Sequence, residues 1–169
     1  ERMLRARGFE GEVVLTEDLD EALAGADYVF GQIRVGKMEA RIRDEKIPLK
    51  YGLLGQETTG AGGFMNALRT VPARLQIAGR MEALCPEAWL VNFSNPSGIV
   101  AQALMDHTTV RTIGLCNCPI NMLKEVEKIL GTGDFAYDYV GLNHLSFITS
   151  VVHEGIEVLD RVRKGEIPN

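Results

Sequence analysis

The chain has 169 residues, a formal net charge of −5 at pH 7, and a composition that is 46% hydrophobic and 24% charged. This composition is typical of a globular protein, and the acidic balance argues against nucleic-acid binding through the phosphate backbone. No apolar run is long enough to span a membrane, the N-terminus lacks a signal-peptide core, and the three cysteines form no secreted disulfide framework. We therefore expect a cytoplasmic protein with no membrane partner.

In chain order, the apolar pattern predicts strands and helices that alternate. The predicted strands cover residues 12–15, 27–33, 88–93 and 112–115. The predicted helices cover residues 19–24, 35–46, 64–84, 99–106 and 120–130. We expect the second helix to end before Pro48, the segment 49–63 to form an ordered loop, and Pro72 to kink or break the long helix.

The pattern changes at residue 134, where strands at 137–142 and 145–153 follow one another across a short turn. Strands that alternate with helices favour a parallel sheet with right-handed crossovers, whereas a short turn favours an antiparallel hairpin. We predict an α/β fold with two domains. Residues 1–133 form a Rossmann-like parallel sheet with helices on both faces, and residues 134–169 begin an α+β domain with antiparallel strands.

Amide, thiol and imidazole side chains follow three of the predicted strands. Asn92 and Asn95 come at the end of one strand, Cys116 follows the next, and His144 follows the first strand of the hairpin. Ligands bind at the carboxyl ends of strands in open α/β sheets, so these residues predict one shared crevice. Asn95 before Pro96 can cap a helix, or it can join Asn92 in binding a ribose or sugar hydroxyl.

Cys116 and His144 together predict an open metal site with two protein ligands. Thiolate is a soft ligand, which favours zinc or iron. An isolated cysteine is more often buried and inert, and a lone histidine is more often a hydrogen-bonded structural residue. Cys116 and Cys118 can alternatively form half of a zinc site, although no second pair with ligand spacing follows. Cys118 by itself is either a packing residue or a spectator.

Two further segments allow an anionic ligand. The loop 55–63 has four glycines whose N–H groups could cradle a phosphate, but it lacks the Walker lysine and the G-x-G-x-x-G pattern. Glu57 is its one carboxylate. A cluster of basic residues near the end of the strand at 27–33 is either a solvated helix face or an anion site, and like charges at i,i+4 favour the second reading. Its members are Arg34, Lys37, Arg41 and Arg43.

Several motifs resemble those of glycoside hydrolase family 4, in the same order along the chain. They are Gln32-Ile-Arg-Val-Gly36, Asp44-Glu-Lys-Ile-Pro-Leu-Lys-Tyr-Gly52, Gly55-Gln-Glu-Thr58, Asn92-Phe-Ser-Asn-Pro96, Leu115-Cys-Asn117 and Gly141-Leu-Asn-His144. This family comprises NAD- and manganese-dependent 6-phospho-glycosidases with a fold like that of lactate and malate dehydrogenase. The resemblance implies hydride transfer from sugar C3 to NAD⁺, removal of the C2 proton by a tyrosine, and elimination of the aglycone while the metal stabilises the enediolate.

The resemblance also implies roles for individual residues. Cys116 and His144 correspond to the Mn²⁺ ligands, Arg41 and Asn95 bind the 6-phosphosugar, and Asn92 contacts NAD. Glu57 corresponds to an acidic residue that raises the basicity of the catalytic tyrosine.

Two departures from the family pattern refine this expectation. Asn117 stands where the α-glycosidase branch has an aspartate that donates a proton, which favours a 6-phospho-β-glucosidase. The first strands, the glycine-rich NAD turn and the tyrosine base have no counterpart in this sequence. We therefore expect the central portion of a longer enzyme, inactive by itself and homo-oligomeric, as a dimer or tetramer. The alternatives are a relative of the 2-hydroxyacid dehydrogenases and a non-enzymatic module that binds sugar phosphates or a metal.

Overall fold

The computed structural model describes residues 2–166, which form two separate three-stranded sheets and seven helices. The strands are β1 (Tyr28–Gly31), β2 (Trp89–Asn92), β3 (Arg111–Gly114), β4 (Ala136–Leu142), β5 (Leu145–His153) and β6 (Ile156–Glu157). The helices are α1 (Arg2–Arg5), α2 (Leu19–Leu23), α3 (Lys37–Leu49), α4 (Gly60–Leu84), α5 (Ser97–His107), α6 (Cys118–Leu130) and α7 (Leu159–Lys164). Among these residues, no helix combines the length and apolar character needed to cross a bilayer.

The first sheet is parallel, with the strands in the order β1-β2-β3, as the alternating pattern predicts. Helices α4 and α5 pack on it through a core in which Ala78, Met81, Leu90, Val100 and Leu104 are completely buried. The carboxyl ends of all three strands lie side by side, since Gly31 pairs with Asn92 and Asn92 pairs with Gly114. Any side chain that follows these strands is therefore delivered to the same edge.

Helices on both faces of this sheet were expected, but the described helices cover only one face. Side chains alternate between the two faces of a strand, and Tyr28 and Phe30 on the second face of β1 are 65% and 76% exposed. The crossovers β1-α4-β2 and β2-α5-β3 run in the same direction along the sheet. Right-handed crossovers with a common direction place their helices on one side. A helix on the other face would require a crossover in the opposite direction.

The second sheet is antiparallel, which confirms the predicted hairpin. Strand β4 pairs with β5 over its whole length, and β5 pairs with the short β6. Helices α6 and α7 pack on this sheet through Val126, Leu130, Val151, Val158 and Val162. The change from parallel to antiparallel pairing falls between β3 and β4, while the domain division at residue 133 stays a prediction. Residue 1 and residues 167–169 of the two predicted domains lie outside the described residues.

Three local predictions differ from the structure. Helix α4 begins at Gly60, earlier than expected, and runs through Pro72 without a break. Pro72 lies on the exposed side, where water can satisfy the carbonyl group that loses its partner. Pro48 lies in the last turn of α3 rather than beyond it. The apolar run at 12–15 forms no strand, because no other described strand lies beside it.

Candidate functional site

Ser94 joins the ends of β1 and β2. Its Oγ accepts a 2.7 Å hydrogen bond from the backbone N–H of Ile33 and donates one of 2.9 Å to the Ile33 carbonyl. Nη2 of Arg74 donates a third bond to the same oxygen at 2.7 Å. Ser94 and Arg74 are both almost completely buried. One hydroxyl group therefore fixes the relative position of the two loops that leave these strands.

Asn92 supports this arrangement from inside the protein. Its side chain is completely buried, its Nδ2 donates to the Ser94 carbonyl at 3.1 Å, and its Oδ1 accepts from the Ser94 N–H at 3.3 Å. The amide is thus occupied at both ends by the loop. Since Asn92 is 0% exposed, the direct cofactor contact that the family resemblance implies would require the covering residues to move.

A buried polar stripe on α4 was missed by the sequence reasoning. Asn66, Thr70 and Arg74 lie four residues apart on one face of the helix and are at most 5% exposed. Nδ2 of Asn66 donates to the carbonyl groups of Glu57 and Asn95, at 3.2 and 3.1 Å, and its Oδ1 accepts from Thr70. The i, i+4, i+8 spacing of Asn66, Thr70 and Arg74 is the signal that could have revealed it, although the helix also carries other polar residues.

Glu57 is the centre of a cluster that contains two of the predicted substrate-binding residues. Its carboxylate forms an ion pair with Arg34 and lies 3.4 Å from Nε of Arg41. The other carboxylate oxygen accepts a hydrogen bond from Nδ2 of Asn95 at 3.4 Å. The Glu57 side chain is only 14% exposed, so these contacts replace much of its hydration.

Arg41 has hydrogen-bond donors that are available to a ligand. Both of its carboxylate partners, Glu45 at 2.8 Å and Glu57 at 3.4 Å, contact the Nε atom. The hydrogen bond with Glu45 raises the pKa of Arg41 above its ordinary value. Within residues 2–166, the two Nη groups have no hydrogen-bond partner, and the side chain is one-third exposed. A guanidinium held at Nε presents a planar pair of Nη donors, which suits phosphate.

The glycine-rich loop is closed by its own side chains and does not form an open phosphate cradle. Oε1 of Gln56 accepts hydrogen bonds from the N–H of Thr58 and from the N–H and hydroxyl of Thr59, at 3.1, 2.6 and 2.8 Å. A Cβ atom at Gly62 would lie 2.2 Å from the Gln56 carbonyl oxygen. This glycine therefore allows the loop to lie directly on the first turn of α4, where it holds Glu57 in place.

The predicted metal ligands meet at the junction of the two sheets. Sγ of Cys116, after β3, lies 3.4 Å from Nε2 of His144, in the turn between β4 and β5. His144 has φ = 60°, a backbone region in which histidine is enriched, and this conformation directs the turn towards Cys116. Cys118 joins the pair, because the three ligand atoms all lie within 4.8 Å of one another. Two causes raise the pKa of the Cys118 thiol: its burial, which has the larger effect, and the nearby Cys116.

A cavity of about 440 Å³ is lined by residues that are adjacent in sequence to the Glu57 cluster and to His144. Thr58, Pro96 and Asn143, the sequence neighbours of Glu57, Asn95 and His144, all line it. A second, polar cavity of about 410 Å³ lies at the ends of β1 and β2 and is lined by Ser94, Asn95 and Arg34 among others. Arg34 and Asn95 therefore line the polar cavity directly, whereas a single crevice shared with Cys116 and His144 stays a prediction.

Comparison with known proteins identifies similar sequences across nearly the whole chain. The family described as family 4 glycosyl hydrolase matches residues 1–132. The chain is 44% identical over 164 residues to a probable 6-phospho-β-glucosidase of Bacillus subtilis. It is 42% identical over 157 residues to 6-phospho-α-glucosidase 1 of Lacticaseibacillus paracasei. These matches cover 95% and 89% of this chain but only 37% and 35% of the two relatives.

A solved structure has the same architecture. The 6-phospho-β-glucosidase of Thermotoga maritima, determined with manganese, NAD⁺ and glucose 6-phosphate, matches with a TM-score of 0.84 at 38% identity. The match covers 96% of this chain and 40% of that protein. The chain therefore spans about two-fifths of the length of the proteins it resembles.

Proposed function

The chain belongs to family 4 of the glycosyl hydrolases, which confirms the resemblance, and we propose that it carries the substrate- and metal-binding part of a 6-phospho-β-glucosidase. The observation that carries this proposal is the contact of 3.4 Å between Cys116 and His144, two residues delivered by different sheets to one crevice. We infer the dehydrogenase-like arrangement of the whole enzyme from the parallel sheet and its structural match.

Recognition of the 6-phosphate group is assigned to Arg41. Its Nη donors are available, and its position beside Glu57 and Asn95 places it next to residues that can bind sugar hydroxyls. The Glu57 carboxylate pairs with both Arg34 and Arg41, which offsets the repulsion between the two guanidinium groups and fixes the orientation of both side chains. In the same proposal, Glu57 acts on the catalytic base electrostatically rather than by direct proton transfer.

The donor set of Cys116 and His144 fits a divalent transition metal ion. Both side chains are half-buried, and two protein ligands leave coordination positions for substrate oxygens. When bound, the ion would supply Lewis-acid stabilisation of negative charge on those oxygens.

NAD is proposed to bind against the polar cavity at the ends of β1 and β2, the position at which such sheets bind dinucleotides. When bound, it would supply a hydride acceptor. Ser94 lines that cavity, and the buried Asn92 contributes through its hydrogen bonds to the Ser94 backbone. Its predicted contact to the cofactor stays a prediction.

Specificity for β-linked substrates is proposed from Asn117. This residue is the exposed N-cap of α6, directly after Cys116, and a neutral amide cannot act as the carboxylic acid of the α-glycosidase branch. The test uses the full-length enzyme that carries this chain, with aryl 6-phospho-β-glucoside, aryl 6-phospho-α-glucoside and the unphosphorylated β-glucoside. We expect cleavage of the first substrate only, dependent on NAD⁺ and Mn²⁺. Preferential cleavage of the α-linked substrate would contradict the proposal.

A pair of variants tests the role of Arg41. We expect Arg41→Met to raise KM for the phosphorylated substrate by about 10-fold or more, because a charge-assisted hydrogen bond is lost. Arg43→Met serves as the control, since Arg43 is exposed on the same helix two residues later. Equal effects of the two substitutions would show that the recognition is general charge attraction rather than a contact with Arg41.

The 169-residue chain by itself is proposed to be inactive and homo-oligomeric. Strand β1 has only β2 beside it in the described sheet, and its exposed Tyr28 and Phe30 favour association. Hydrolysis of the 6-phospho-β-glucoside by the purified chain would refute the first statement. A monomeric mass in sedimentation equilibrium would refute the second.

A further inference from the structure

A third donor lies beside the two predicted metal ligands. Sγ of Cys118 is 3.9 Å from Nε2 of His144, and both thiols are free and half-buried. Cys118 is the first residue of α6, so the strand-to-helix junction at Asn117 turns its side chain back towards Cys116. The sequence analysis left Cys118 as a packing residue or spectator.

The separations agree with a tetrahedral ion bound by all three side chains. Tetrahedral zinc with Zn–S of about 2.3 Å and Zn–N of about 2.0–2.1 Å places sulfur and nitrogen ligands about 3.6 Å apart. The two observed S–N distances, 3.4 and 3.9 Å, lie on either side of that value. The remaining pair of ligand atoms also lies within 4.8 Å, so small side-chain adjustments are sufficient.

The backbone supports a charged sulfur at this position. The N–H of Cys118 donates to Sγ of Cys116 at 3.4 Å, and hydrogen bonds from neighbouring groups orient metal ligands and adjust their basicity. Two thiols so close together repel each other when ionised, whereas a bound dication removes that repulsion. A bound ion therefore favours the ionised form of both thiols over the neutral form.

We propose that Cys118 is a third protein ligand, so that this chain holds its divalent ion with two thiolates and one imidazole. This inference rests on the metal site of the proposed function and changes its chemistry. A Cys₂His donor set with an open fourth position is a zinc type of site, and the second thiolate adds affinity for soft ions and little for Mn²⁺, which prefers oxygen. Zn²⁺ and Co²⁺ binding should therefore depend on Cys118 much more than Mn²⁺ binding does.

The experiment titrates the reduced, chelator-treated 169-residue chain with Co²⁺ and follows the sulfur-to-cobalt charge-transfer band in the near ultraviolet. Its intensity increases with the number of bound thiolates. We expect Cys118→Ser to halve the intensity and to weaken Zn²⁺ binding, measured by competition with Co²⁺, by at least about 10-fold. Mn²⁺ affinity, measured by electron paramagnetic resonance, should change by less than about 3-fold, since Mn²⁺ gains little from thiolate.

Cys85→Ala is the matched control, because Cys85 is a buried thiol in the core of the first sheet and should leave the spectrum unchanged. X-ray absorption of the zinc-loaded wild-type chain gives an independent measurement that needs no variant, with two sulfur ligands expected. Full charge-transfer intensity in Cys118→Ser, or one sulfur in the absorption fit, overturns the role of Cys118 and leaves the proposed function standing. Co²⁺ binding that survives Cys116→Ser and His144→Ala overturns both.

Discussion

The hydroxyl group of Ser94 should contribute more to stability than any other serine hydroxyl in the described sheet region. It makes three hydrogen bonds, with the N–H and carbonyl of Ile33 and with Nη2 of Arg74, and the residue is 2% exposed. Ser94→Ala removes all three bonds while leaving the partners in place. The N–H of Ile33 and the guanidinium of Arg74 then lack their acceptor; Arg74 is 1% exposed, whereas Ile33 is half-buried beside the polar cavity.

The size of the effect follows from these two donors. An unsatisfied buried donor costs about 1–3 kcal/mol, and a charged one costs more. Relaxation of the loops recovers part of this, so we expect a loss of about 2–5 kcal/mol in the free energy of unfolding. With a urea m-value of about 2 kcal/mol/M, a loss of 3 kcal/mol lowers the unfolding midpoint by about 1.5 M. This is a large fraction of the total stability of an ordinary domain.

The assay is urea unfolding followed by far-ultraviolet circular dichroism, with Ser97→Ala as the control. Ser97 is 3% exposed, and its hydroxyl has no hydrogen-bond partner among residues 2–166, so its removal should cost less than about 1 kcal/mol. The double variant with Arg74→Met should be less unstable than the sum of the single changes, because the orphaned guanidinium is absent. Equal midpoints for Ser94→Ala and Ser97→Ala would refute the reasoning.

Two further predictions concern packing and pH. Gly31→Ala should destabilise the protein by about 1–3 kcal/mol, because its Cβ would lie 2.1 Å from Nη1 of buried Arg74. In contrast, Gly79→Ala, with open space around it on α4, should stabilise it by about 0.5–1 kcal/mol in the same urea assay. The hydrogen bond from Ser150, with two backbone N–H groups, lowers the pKa of Glu157. A lowered folded-state pKa gives stability that is present above the unfolded-state pKa and is lost as the pH falls through the folded-state value. The midpoint difference between wild type and Glu157→Gln should therefore shrink as the pH falls below about 4.3, the ordinary pKa of glutamate, and disappear once the pH is below the lowered folded-state pKa. A difference that stays constant on acidification would contradict this account.

Much of the fold could be predicted because it depends on local pattern. The strands β1, β2 and β3 and the β4–β5 hairpin each follow from a short apolar run that ends at a turn. The exposed second face of the sheet could not be predicted in the same way, because it depends on the direction of successive crossovers rather than on any one segment. A break at Pro72 does not occur, because the cost of a proline in a helix depends on whether the freed carbonyl group faces solvent. A kink there stays a prediction.

Most residues of the candidate site could be predicted from the sequence, but the contacts between them could not. Strand ends identify Asn95, Cys116 and His144, yet nothing in the sequence indicates that Glu57 lies between Arg34, Arg41 and Asn95. Those contacts join segments that are up to 38 residues apart. The contact of Cys118 with the two predicted metal ligands could not be predicted either, although Cys118 is only two residues from Cys116. Its side-chain direction depends on where the strand ends and α6 begins.

The polar stripe on α4 explains how these distant segments are held together. Arg74 is buried and has no carboxylate partner among residues 2–166, and this burial lowers its pKa. Its charge therefore opposes folding unless its hydrogen bonds are made. Apolar side chains at Asn66, Thr70 and Arg74 would pack in the same volume at less cost. They could not, however, bind the carbonyl groups of Glu57 and Asn95 or the hydroxyl of Ser94. The stripe therefore lowers stability but fixes the distance between the loop that carries Glu57 and the strand end that carries Asn95, which is the distance that the proposed substrate site depends on.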